Sequence, residues 1–175
     1  MTAELDIREI RREEYAQLGQ LMIDVYSRLD GFPDPVEQPA YYEMLANIGS
    51  ISEQEDAEVL VAISPERGML GGVVYFSDMA AYGSGGTATG QKNASGFRLL
   101  GVDAKARGAG VGSALSQACI QKARDYGHEQ VILHTTQSMK VAWKLYLKLG
   151  FKRSKDLDFM QENLPVFGFR LNLDQ

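Results

Sequence analysis

Phe97-Arg-Leu-Leu-Gly-Val-Asp-Ala-Lys-Ala-Arg-Gly-Ala-Gly-Val-Gly112 is the stretch on which the fold turns. A β-rich run, Phe97 to Val102, passes into a loop holding Gly108, Gly110 and Gly112, and an apolar pattern of helical period follows at once. Val111, Ala114, Leu115, Ala118 and Ala123 recur at steps of three and four, and Gly127 closes the pattern. The first amides of a helix have no intrahelical acceptor, and the macrodipole places about half a positive charge there. Glycines permit positive φ and close approach to the main chain. Lys105 and Arg107 add side-chain charge. A phosphate or pyrophosphate suits such a junction.

Three readings compete for that anion. A nucleotide-triphosphatase loop needs Gly-Lys-Ser/Thr, and Gly112-Ser113-Ala114 has no lysine. A dinucleotide fold needs glycine at the sixth position of G-x-G-x-x-G, where Gly108 to Ser113 ends in serine. It also needs an acid after the next strand, and Val131-Ile132-Leu133 runs into His134-Thr135-Thr136. That disfavours an oxidoreductase. The third reading is R-x-x-G-x-G, met by Arg107, Gly110 and Gly112; a plain glycine-rich turn accounts for the loop equally well on its own.

Outward from this segment, the pattern is that of one domain. A half-buried strand is expected at Leu5 to Arg8, and a helix over Glu13 to Leu29 that Gly31-Phe32-Pro33-Asp34-Pro35 terminates. A shorter helix covers Ala40 to Ile48, capped by Gly49. Strands at Glu58 to Ile63 and Leu70 to Phe76 flank a hairpin loop. After the central strand and helix come a strand at Gln130 to Thr135, a helix at Lys140 to Leu149, and strands at Phe151 to Arg153 and Val166 to Leu173. The Gly-rich stretch Ala80 to Gly96 reads as a flexible connection or a mobile lid. The order βααβββαβαββ implies an α/β fold with a mixed sheet flanked by helices.

The 175 residues suit one domain, residues 1–175 with a core at about 5–173, and 45% hydrophobic content suffices for its core. Eighteen basic against twenty-three acidic side chains leave a net charge of −5, which argues against a nucleic-acid partner. No apolar run is long enough for a membrane span, and Met1 to Asp6 lacks the basic and apolar regions of a secretory signal. The lone cysteine, Cys119, cannot form an internal disulfide, so the cytoplasm is the expected compartment. Two histidines and one cysteine are not at ligand spacing, so no metal is expected.

The second helix decides between the readings. Thr136-Gln-Ser-Met-Lys-Val-Ala-Trp-Lys-Leu-Tyr-Leu-Lys-Leu-Gly-Phe151 contains A-x-x-L-Y-x-x-x-G-F. With R-x-x-G-x-G some thirty residues before it, the chain resembles the GNAT superfamily of acetyl-CoA-dependent N-acetyltransferases over nearly its whole length. The resemblance implies a GNAT-type fold: a central mixed β-sheet in which Phe97 to Val102 splays from its parallel neighbour Gln130 to Thr135, with helices on both faces. Main-chain groups around Leu100 and Val102 would bind the pantetheine arm, and amides of Arg107, Gly108, Ala109, Gly110, Val111, Gly112 and Ser113 the pyrophosphate. Tyr146 would stand near the thioester sulfur and protonate the departing thiolate. Met139 replaces a common family asparagine, and Ala104 a common proline.

The implied reaction is acetyl transfer from acetyl-CoA to a primary amine by direct attack. The partner is a small-molecule or peptide amine, contacting Tyr26 to Val36, Ala80 to Gly96 and Lys155 to Asp158. Something must take the amine's proton. Glu58, Asp78, Asp103 and His134 lie on or beside predicted strands, and His134 is singled out because it ends the strand lining the expected slot and titrates near neutrality. Trp143 and Cys119 read as packing residues. Val141, Leu145 and Leu149 read as the buried stripe of their helix. The family pattern also implies a homodimer. The alternative is an acyl-CoA-binding sensor with the same fold and no turnover.

Overall fold

The computed structural model describes residues 4–173. Its elements are β1 (Asp6–Glu9), α1 (Tyr15–Ser27), α2 (Pro39–Ala46), β2 (Ala57–Ser64), β3 (Gly68–Phe76), β4 (Ala94–Val102), α3 (Val111–Asp125), β5 (Gln130–Thr135), α4 (Lys140–Lys148), β6 (Lys152–Arg153), β7 (Phe159–Gln161) and β8 (Leu164–Asn172). The strands make an eight-stranded sheet in the order β1-β2-β3-β4-β5-β8-β6, with β7 paired to β8. The sheet is mixed: β4 and β5 run parallel, whereas β1–β2 and the three pairings of β8 are antiparallel. The expected α/β class is therefore the one adopted.

Backbone packing divides the chain into two compact units, one of residues 1–74 and 99–116, the other of 75–98 and 117–175. In the first, adjacent glycines of β3 reveal which helix covers which face. A Cβ at Gly71 would meet Val111 and Leu115 of α3, whereas one at Gly72 would meet Leu18 of α1. Successive strand residues point to opposite faces, so α1 and α3 lie on opposite sides of β3. Leu18, Met22, Leu45, Ile48, Val59 and Val61 are fully buried in this unit.

In the second unit, β5 pairs with β8 along its full length, from Gln130↔Asn172 to Thr135↔Phe167. On its other edge the parallel ladder holds for only three residue pairs, Ala94↔Gln130, Ser95↔Val131 and Gly96↔Ile132. Both strands continue beyond it, β5 to Thr135 and β4 to Val102. Where β4 passes into the first unit, Leu99 takes φ +61°, a left-handed kink that a leucine adopts only under constraint. Tyr82, Phe97, Phe151 and Phe169 fill the core of this unit.

Three local expectations are corrected, and one strand was not foreseen. Gly49 is not a helix cap: α2 ends at Asn47, whose amide and side chain both bond the Glu43 carbonyl. Gly49 lies instead in the 3₁₀ turn Ile48–Glu53, where a Cβ would strike the Tyr15 ring at 2.6 Å. In α3 the buried line is Val111, Leu115, Cys119 and Ala123, with Ala114 and Ala118 only half-buried. In α4, Val141 is 74% exposed and Tyr146 takes the inward position. The strand β7 had no sequence signature, because three residues are too few to show a period.

Candidate active site

The residues singled out from the sequence fall into both units. In the first unit, Leu100 follows the kink at Leu99, and its carbonyl accepts the Tyr26 hydroxyl at 2.9 Å. Gly101 lies against Met22 so closely that a Cβ would collide with the thioether sulfur. After Val102 the chain is fastened at once. Asp103 N–H donates to the Leu70 carbonyl at 2.8 Å, and its carboxylate accepts the Lys105 amide at 2.9 Å. That tight 3₁₀ turn, Ala104–Ala106, delivers Arg107 and the glycines to the start of α3.

Gly108 and Gly110 take φ +84° and +82°, values that side-chain-bearing residues rarely adopt, and a Cβ on either meets nothing within 4 Å. Conformation, not crowding, demands glycine there. The helical ladder opens with Ala114 N–H to the Gly110 carbonyl at 3.0 Å, so the amides of Val111 and Gly112 precede it. The Arg107 side chain is exposed. This is the physical profile of an anion cradle. The rings of Tyr26, Phe32 and Tyr41 meet tilted or edge-on at 5.6–6.2 Å, and the Tyr42 hydroxyl donates to the Pro33 carbonyl at 2.7 Å. These contacts pin the loop after α1.

In the second unit, Tyr146 is 5% exposed, with its ring edge-on to Phe97 and Phe151 at 5.9 Å each. Burial pushes its phenol well above the ordinary value, with smaller contributions from Tyr82 and Cys119. His134 has both ring nitrogens engaged. Nε2 lies 2.8 Å from the Leu157 carbonyl, which can only accept, so Nε2 carries the proton. Nδ1 therefore accepts the Tyr82 hydroxyl, 3.0 Å away. Burial, the largest influence, holds the imidazole below its usual pKa and keeps it neutral. A proton can reach Nδ1 only if Tyr82 passes one on or gives up its bond.

Tyr82 is fully buried, and its carbonyl accepts Arg98 Nη1 at 2.9 Å. Thus the Gly-rich Ala80 to Gly96 stretch, read as a flexible connection or lid, is anchored at several points. Thr87 Oγ1 donates to the Asp156 carbonyl at 2.7 Å, Ala88 is fully buried, and Gln91 accepts from Arg170. Lys155 to Asp158 is held as firmly. The Asp158 carboxylate takes a bidentate pair from Arg153 at 2.8 and 2.9 Å together with the Gly168 amide. The Arg153 contact is the main reason Asp158 titrates below the usual carboxylate range. Of the remaining candidate bases, Asp78 caps the Ala80 amide and Asp103 the Lys105 amide. Tyr82 was missed by sequence reasoning, since fifty-two residues separate it from His134.

A mixed sheet flanked by helices, with a kinked strand that leads through a glycine-bearing turn to a helix start, defines an α/β fold. The chain belongs to the acetyltransferase (GNAT) family, whose sequence model matches residues 22–151. Human N-acetyltransferase 8B is 42% identical over 55 residues, 31% of this chain and 24% of that protein. Mouse N-acetyltransferase 8B is 38% identical over 65 residues, 37% and 28% respectively. The match thus spans about a quarter of the length of these curated relatives. A GNAT-family acetyltransferase from Staphylococcus aureus Mu50 superposes with TM-score 0.74 at 19% identity, covering 98% of this chain and 100% of that one. The Salmonella typhimurium yncA structure, a putative acetyltransferase with its cofactor acetyl-CoA, gives 0.64 at 17% identity, covering 98% and 95%. At such identities the likeness shows the fold alone.

Proposed function

We propose that this protein transfers an acetyl group from acetyl-CoA to a primary amine. The observation that carries the reading is the cradle at the start of α3, with Gly108 and Gly110 in the left-handed region ahead of the first amides of the helix, in a chain of this family. The acetyl-CoA and coenzyme A described with the Salmonella typhimurium and Thermoplasma acidophilum relatives support the choice of carrier. The amides of Gly108, Gly110, Val111 and Gly112 hold the pyrophosphate, those of Arg107 and Ala109 being bonded to the Ala104 and Ala106 carbonyls, and Leu100 and Val102 offer main-chain groups to the pantetheine.

The neutral amine nitrogen attacks the thioester carbon, and the C–S bond breaks as the tetrahedral intermediate collapses. Tyr146 Oη–H stabilises the departing thiolate. The amine loses its proton to water or, once Tyr82 gives up its bond, to His134 Nδ1. Proximity of the two reactants supplies much of the rate. We further propose a homodimer in the cytoplasm. Light scattering at the 19.3 kDa of a single chain removes the dimer. Among the described residues, no helix is long and apolar enough to cross a membrane.

The test is release of free CoA thiol from acetyl-CoA with a panel of amino acids, polyamines, aminoglycosides and peptides. Turnover with one class supports the reading. Tight CoA binding without turnover on any amine replaces it with a sensor.

A further inference from the structure

Two buried hydroxyls among the described residues lack a hydrogen-bond partner, Ser116 Oγ and Thr135 Oγ1. They differ in what they can do about it. Ser116 sits inside α3, where a rotation brings a serine hydroxyl onto the carbonyl four residues back. Thr135 ends β5, and a strand offers its side chain no such carbonyl. Leaving a buried hydroxyl unpaired is unfavourable, and valine would fill the same volume without that penalty. Its neighbour is already satisfied, since Thr136 Oγ1 and Ser138 Oγ lie 2.8 Å apart.

The ladder shows which way Thr135 faces. Thr135 is opposite Phe167 and Leu133 opposite Phe169, and cross-strand partners share a face. The Trp143 ring packs edge-on to Phe167 at 5.4 Å and Phe169 at 4.9 Å, so that face is the one α4 covers. Tyr146 lies three residues further along the same helix, turned inward. The buried hydroxyl of Thr135, a residue 2% exposed, therefore sits on the Tyr146 side of β5, in aromatic surroundings.

We propose that Thr135 Oγ1 is a binding group for the acyl arm of the carrier, donating its proton to a carbonyl oxygen of the acyl-pantetheine. The inference rests on the acetyl-CoA reading above. A single neutral hydroxyl in an apolar setting suits an amide or thioester carbonyl and cannot neutralise a phosphate. In low dielectric the bond gains strength, which offsets the apo protein's unpaired group. Thr135 thereby fixes the arm on the face that carries Tyr146.

Calorimetric titration of wild type, Thr135→Val and Thr135→Ser with acetyl-CoA and with adenosine 3′,5′-bisphosphate tests this. The expected result is a five- to tenfold weaker Kd for acetyl-CoA in the valine variant, the loss of about one hydrogen bond. The serine variant stays within about twofold. The bisphosphate, which has no pantetheine, binds all three equally. The valine variant should also melt about 2–4 °C higher, because the unpaired hydroxyl is gone. Unchanged acetyl-CoA affinity in a stabilised valine variant overturns the proposal, as does an equal loss for the bisphosphate. If valine is not accommodated, Thr135→Ala gives the same comparison. A wild type that binds neither ligand defeats the acetyl-CoA reading itself, a failure distinct from that of Thr135.

Discussion

Replacing Tyr146 with phenylalanine keeps the ring between Phe97 and Phe151 and removes only the hydroxyl. A phenol near pKa 10 and a thiol near 8.5 differ by about 1.5 units, so complete proton transfer to the thiolate is uphill by about 2 kcal/mol. Burial raises the phenol further, with Tyr82 and Cys119 adding to it. In the proposed reaction the hydroxyl therefore acts chiefly as a strong donor to the developing thiolate. A hydrogen bond to a charged group is worth about 1.5–3 kcal/mol, or 10- to 150-fold in rate. We expect kcat to fall about a hundredfold, with the acetyl-CoA KM changed only a few-fold and Tm moving by less than about 2 °C. The assay is thiol release, with pre-steady-state kinetics showing that chemistry limits turnover. A variant that keeps more than half of the wild-type kcat under that condition refutes the role and makes Tyr146 a packing residue.

Gly110→Asp should abolish CoA binding by calorimetry, because it places a carboxylate at the cradle. Gly110→Ala, which meets nothing within 4 Å but must hold φ +82°, should bind CoA and lose about 1–2 kcal/mol of stability. Gly96→Ala should cost about 1–3 kcal/mol in urea unfolding, since its Cβ would lie 2.7 Å from the Tyr82 ring. Stability should also depend on pH through His134. Its folded pKa lies below the unfolded value of about 6.5, so the unfolded chain binds the proton first. The urea midpoint should be flat above about pH 6.5 and fall as the pH drops toward 5, and His134→Gln should remove that fall. An unchanged slope in the glutamine variant contradicts the buried neutral imidazole.

Local rules served best where the signal is local. The loop from Arg107 to Gly112, β5 and the boundaries of α3 were legible because glycine placement and periodicity act within a few residues. The depth of Tyr146 was not. Val141, Leu145 and Leu149 describe an apolar stripe, yet the structure turns Val141 to solvent and Tyr146 inward, a choice made by Phe97 and Phe151. The Ala80 to Gly96 stretch looked loose because its glycines lower local propensity. Its anchors, Tyr82 on His134 and Thr87 on Asp156, come from 52 and 69 residues away. The unpaired hydroxyl of Thr135 has no sequence signature, since threonine is an ordinary strand residue.

His134 joins two segments by one ring, Tyr82 on Nδ1 and Leu157 on Nε2, and Thr87 adds a second tie to Asp156. Gly85 lies so close to Phe159 that a Cβ there would sit 2.9 Å from its ring. Segments stitched together in this way do not diversify independently. A substitution in one resets the context of the other, so pairs of changes across the stitch should be strongly epistatic, with coupling energies of about 0.5–3 kcal/mol. For anyone redesigning this scaffold, residues 80–96 and 155–159 form a single unit of inheritance. A loop transplanted from a relative without its counterpart leaves His134 with a nitrogen it cannot satisfy.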